Sequence, residues 1–125
     1  MSNSKSQVCS GGTTLIFSCS GAADVGLAAD QAARKLTQEG CGQMFCLAGI
    51  GGGIEPILNK TRQAQTILAI DGCGLNCVKS SLEKAGFTNF KHLQLGSIGM
   101  EKGQSPATEE NISTAAKAGK KMLQN

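Results

Sequence analysis

Uninterrupted apolar runs alternate along this chain with stretches in which apolar residues recur every three to four positions. Thr13 to Cys19, Gln43 to Leu47, Thr66 to Ile70 and the more mixed His92 to Leu95 read as strands. Between them, Val25, Ala28, Ala32 and Leu36 share one helical face, with Asp24 placed to cap the start and Gly40 the stop. A short helix is expected from Ile54, with Pro56 in its first turn and Ile57, Leu58 and Thr61 turned inward. Val78, Leu82 and Ala85 mark a further helix that closes at Gly86. After a glycine-rich link, Gly96 to Gly103, the pair Ser105-Pro106 begins a last helix on which Ile112, Ala115, Gly119 and Met122 align.

Strands that alternate with helices through short connections predict an α/β fold with right-handed crossovers. The expected architecture is a small three-layer sandwich around a mostly parallel sheet of about four strands, flavodoxin-like or Rossmann-like. Residues 1–12, rich in Ser, Asn, Gln and Gly around Cys9, read as a disordered tail, and 13–125 as one domain.

Composition narrows the function classes. The 125 residues are 40% hydrophobic, enough to bury roughly two-thirds of the unfolded surface without disulfide staples. Aromatics are 3%, all Phe, which removes the stacking platforms of single-strand nucleic-acid binders. The net charge of +3 is mild, and Lys117, Lys120 and Lys121 suit the carboxyl end of a helix. No nucleic-acid partner is indicated. The polar start lacks an apolar signal core, and no run is long enough to span a membrane. The expected location is therefore cytoplasmic, where the six cysteines are read as free thiols, metal ligands or redox groups.

The placement of those cysteines is the strongest chemical signal. Cys19, Cys46 and Cys73 each fall at or just past the end of a predicted strand, and all three strand ends of a parallel sheet open onto one edge. If Asn76 opens the helix after the third strand, Cys77 lies in its first turn. There the free N–H groups and the positive end of the helix dipole accommodate anionic sulfur. Four thiols from distant segments could meet in one pocket. A tetrathiolate metal site, most naturally zinc, is one reading; a Cys73–Cys77 redox pair and four inert buried thiols are the others.

Three stretches in order, Phe17-Ser18-Cys19-Ser20-Gly21-Ala22-Ala23-Asp24-Val25-Gly26, Cys46-Leu47-Ala48-Gly49-Ile50-Gly51-Gly52 and Ala69-Ile70-Asp71-Gly72-Cys73 with Cys77, resemble the Asp-Gly-Cys (DGC) domain family. The resemblance runs from about Thr13 to Met100 and includes Leu82-Glu83-Lys84-Ala85-Gly86-Phe87. It implies a zinc-binding protein whose four chelating cysteines map onto Cys19, Cys46, Cys73 and Cys77. It implies a metal and no reaction. Cys9 and Cys41 lie outside the motif set and leave open a second pair or an alternative ligand.

The remaining candidates read as structural. Asp71 is expected to fix its turn by accepting backbone N–H groups. Ala48 to Gly53 lacks both the P-loop ending and the dinucleotide frame, so it is read as a tight turn rather than a phosphate cradle. His92, the single histidine, is expected at an edge or surface rather than as a ligand. With one imidazole in the chain, triad hydrolysis is disfavoured and no catalytic residue is assigned. The leading function is a small zinc-binding protein with a structural, sensing or metal-handling role. The alternative is a thiol-redox or sulfur-handling protein using Cys73 and Cys77. An enzyme holding a small ligand at an exchangeable metal is the third possibility.

Overall fold

Thr14–Ser18 forms β1 with all five residues buried, and Thr66–Asp71 forms β3 with every residue after Thr66 buried. Strands covered on both faces carry apolar residues without alternation, which is why these two read as continuous runs. The computed structural model describes residues 12–124, so the tail expected over residues 1–12 lies almost wholly outside the described residues. β2 (Gln43–Met44) and β4 (Lys91–Gln94) are shorter and more polar, and they form the two edges. The sheet is entirely parallel in the order β2-β1-β3-β4. The central register runs from Thr14 opposite Thr66 to Ser18 opposite Ile70.

Among the described residues there are also five α-helices: α1 (Asp24–Gln38), α2 (Leu47–Gly51), α3 (Glu55–Arg62), α4 (Cys77–Lys84) and α5 (Glu109–Gln124). A 3-10 turn, Leu95–Ile98, follows β4. Alternate strand residues serve opposite faces. Ile16, Leu68 and Ile70 join one core with α1 and α5, where Ala28, Ala29, Ala32 and Ala33 are completely buried. Leu15, Phe17, Ile67 and Ala69 join a second core with Ile50, Val78 and Leu82. The three-layer α/β sandwich is the one expected, with α1 and α5 on one face and α2 to α4 on the other.

Several boundaries differ from expectation, each for a tertiary reason. The second strand ends at Met44 rather than Leu47, because Cys46 is already the N-cap of α2. The glycine-rich stretch expected to be a loop is therefore largely helical. Its Gly49 is pressed against Ile57, where a Cβ would lie 2.7 Å from Cγ1, so packing overrides the low helix propensity of glycine. The last helix starts at Glu109 rather than Ser105-Pro106. Thr108 is its cap, with Oγ1 accepting the Asn111 N–H at 3.1 Å.

Asp24 was expected to cap α1, but Ala23 holds that position. The Asp24 carboxylate instead ties α1 to the link before α5, accepting the N–H groups of Val25 (2.8 Å), Gly103 (2.9 Å) and Ser105 (3.1 Å). The Gly103 N–H outweighs the burial that opposes it and, with Val25 and Ser105, holds the carboxyl below its ordinary 3.8. A carboxyl depressed in the folded state contributes stability that is present above its unfolded value and lost as pH falls through the folded one. Asp24→Asn is therefore expected to melt below the wild type at neutral pH. That gap should close as pH falls below 3.8, which paired thermal melts in the two pH ranges would show.

Candidate functional site

From β1 the chain passes through α1 to β2 on one side of the sheet, and from β3 through α4 to β4 on the other. The crevice between the carboxyl ends of β1 and β3 is thus the point where the winding reverses, the standard location for a site in such sheets. Cys19 directly follows β1, Cys73 lies two residues past β3, and Cys77 is the first residue of α4. Cys19 is drawn into the β3 side by two contacts. Its N–H donates to Ile70 O at 3.2 Å, and the Gly72 N–H donates to its Sγ at 3.3 Å.

Cys19, Cys73 and Cys77 line one cavity of about 500 Å³, walled by Val25, Leu75 and the backbone of the α1 start. Cys46 sits on the same edge of the sheet but is exposed and faces a neighbouring cavity of about 520 Å³, which Cys19 also borders. Cys19 is the thiol shared by the two. All four sulfurs are free thiols. Among the described residues, no three Cys, His, Asp or Glu side chains are gathered tightly enough to grip a metal ion as they stand. Cys41 is different: it is buried at the amino end of β2, away from this edge, and is disulfide-bonded rather than a free thiol. Cys9 lies outside the described residues.

Asp71, 1% exposed, fixes the α4 end of the crevice. Its Oδ1 accepts the Val78 N–H at 2.8 Å and its Oδ2 the Lys79 N–H at 3.1 Å. The N-cap residue Asn76, at φ 55°, makes no side-chain cap bond of its own, and its Oδ1 accepts Gln94 Nε2 at 3.1 Å. The end of β3 therefore caps α4, as the structural reading of Asp71 expected. His92 adds what that reading missed: its Nε2 lies 2.8 Å from Asp71 Oδ2. Asp71 pairs with Gln94 in register, and His92, two residues earlier on β4, shares the face of Gln94. A carboxylate closing one parallel strand and a histidine entering the next was the available signal. The ring is partly buried, with 23% of the side chain exposed, and serves the carboxylate rather than a thiol.

Gly72 shows why the residue between Asp71 and Cys73 has no side chain. A Cβ there would lie 2.6 Å from Val25 O and 2.9 Å from Gly26 N, because the first turn of α1 rests on this backbone. That contact seals the apolar wall behind the thiols.

A family model described as DGC domain matches residues 15–118, reaching into α5 beyond the motif-bearing region. The chain is also 35% identical over 88 residues to the Anaerobic and virulence modulator AnvM of Pseudomonas aeruginosa, covering 70% of this chain and 67% of that protein. No solved structure matches.

Proposed function

Since this chain belongs to the DGC domain family, we propose that it is a small cytoplasmic zinc-binding protein with a regulatory role, its ligands the thiolates of Cys19, Cys46, Cys73 and Cys77. The observation that supports this most is the cavity at the winding reversal, which three free thiols, two just past strand ends and one at a helix start, line together. The donor set suits zinc, which accepts thiolates in preference to harder ligands. The Gly72 N–H aimed at Cys19 Sγ is the kind of backbone contact that balances charge on a ligating sulfur. Cys46, on the far side of Cys19, is the fourth donor. Zinc held by four thiolates is redox-inert and has no open position, so what it supplies is a cross-link between the strand ends. The regulatory part of the proposal draws on the name of the related protein, a modulator.

The chain's own residues prepare the crevice. Asp71 holds α4, and with it Cys77, against β3. Val25 is buried and lends the cavity an apolar wall. A second reading rests on the exposure of Cys77 beside the cavity it shares with Cys73: a reversible disulfide between the two.

Elemental analysis and thiol counting on protein purified without oxygen or added metal separate these readings. About one zinc per chain is expected. Competition with a calibrated chelator should show Cys73→Ser and Cys77→Ser weakening zinc roughly tenfold or more, with reduced thermal stability of the loaded protein. Cys41→Ser, at the opposite end of β2, should keep wild-type affinity. Metal-free protein with a reversible Cys73–Cys77 bridge would replace the zinc reading with the redox one. Loss of zinc on Cys41→Ser but not on Cys46→Ser would overturn the ligand assignment.

A further inference from the structure

The cavity between the carboxyl ends of β1 and β2 carries a polar network that the thiol site does not use. Ser20, at φ 54°, stands in the left-handed region, which a residue with a Cβ adopts only at a cost. Its hydroxyl donates to Asp30 Oδ1 at 2.7 Å. With that proton committed, the 2.5 Å contact to Ser18 requires the Ser18 hydroxyl to donate to Ser20. Asp30 Oδ2 in turn accepts Arg34 Nε at 2.7 Å. The chain Ser18, Ser20, Asp30, Arg34 thus runs from the buried end of β1 to a guanidinium on α1. The Asp30 side chain is only 14% exposed. Burial opposes its ionisation, but the hydrogen bonds from Arg34 and Ser20 and the Arg34 charge prevail and lower its pKa.

The outcome is an arginine oriented from behind. Asp30 takes the Nε edge, and among the described residues the two terminal nitrogens of Arg34 make no hydrogen bond. Arg34 borders the 520 Å³ cavity together with Cys19, Cys46 and Ser81, and the Ser81 hydroxyl makes no hydrogen bond among the described residues either. A guanidinium with two parallel free N–H groups matches the two oxygens of a carboxylate or phosphate.

We propose that this cavity binds a small molecule through an oxyanion, carboxylate or phosphate, with Arg34 as the anchor and Ser81 as a further donor. Ser20 and Asp30 are positioning residues: they hold Arg34 by its Nε edge and leave its outer face to the ligand. The ligand would lie against Cys19 and Cys46, so its occupancy would be sensed at two of the proposed zinc ligands. The site itself needs no metal.

The test is a titration of isotope-labelled protein, metal-free and zinc-loaded, with inorganic phosphate and separately with acetate, followed by nitrogen–proton NMR. Saturable shifts are expected at the Arg34 Nε–H and the Ser20 and Ser81 amides, with the tighter probe identifying the head group. Arg34→Gln should weaken binding roughly tenfold or more. Ser20→Ala should weaken it less and move the Arg34 Nε–H signal even without ligand. Equal binding by Arg34→Gln, non-saturable shifts, or shifts confined to the lysines of α5 would overturn the proposal. Arg34-dependent binding to metal-free protein upholds it even if no zinc is found.

Discussion

Asp71→Ala is expected to lower the unfolding free energy of the metal-free protein by about 3 kcal/mol. The substitution removes one buried carboxylate but strands three donors: the Val78 and Lys79 N–H groups and the His92 ring nitrogen. Nothing else at the start of α4 replaces them, since Asn76 is turned towards Gln94. Urea unfolding with an unchanged denaturant slope would measure the loss. His92→Ala and the double variant complete a cycle. If the carboxylate acts as one hinge between β4 and α4, the two changes should be clearly non-additive, whereas independent effects would sum. A wild-type midpoint for Asp71→Ala would show that α4 is held by its apolar face alone.

Gly72→Ala is expected to cost about 2 kcal/mol for a different reason, overpacking. The atoms a methyl group would meet, Val25 O and C and Gly26 N, are backbone atoms of α1 and cannot rotate aside. Gly74→Ala is the control. Its nearest neighbour is Gln94 Nε2 at 4.0 Å, the end of a flexible side chain, and its effect should stay within about 0.5 kcal/mol. The same urea experiment serves both, and equal effects at 72 and 74 would refute the contact argument. In Asp71-Gly72-Cys73, then, the first residue caps a helix, the second admits another helix to close contact, and the third lines the cavity.

Much of this arrangement was legible in the sequence because its causes are local. Five consecutive buried residues in each of β1 and β3 leave an unbroken apolar run, and the predicted face of α1, Val25, Ala28, Ala32 and Leu36, is buried throughout. Three predicted strand ends and one helix start sufficed to place Cys19, Cys46, Cys73 and Cys77 on one edge. What was not legible depends on partners far along the chain. Asp24 looks like a cap until Gly103 and Ser105 are seen to compete for its carboxylate. His92 looks peripheral until β4 pairs with β3 and brings it to Asp71. Gly49 looks like a loop residue until Ile57 covers it. The partition of the thiols between two cavities is of the same kind. It depends on where β2 ends, and Gln43 to Leu47 carries no residue that marks the end of the strand at Met44.

The central strand pair has a kinetic consequence. β1 and β3 are neighbours in space, yet α1, β2, α2 and α3 all intervene in the chain. Their pairing cannot zip from a turn; it requires closing a long loop before most of its contacts form. Assembly is therefore expected to be limited by the meeting of Thr14–Ser18 with Thr66–Asp71, against one face of which α1 packs. The two-residue edge strand β2 has little to add to that nucleus and should join late. In the finished protein its backbone hydrogens should exchange with solvent well before those of β1 and β3, so the segment leading to Cys46 is the first to open and the last to close.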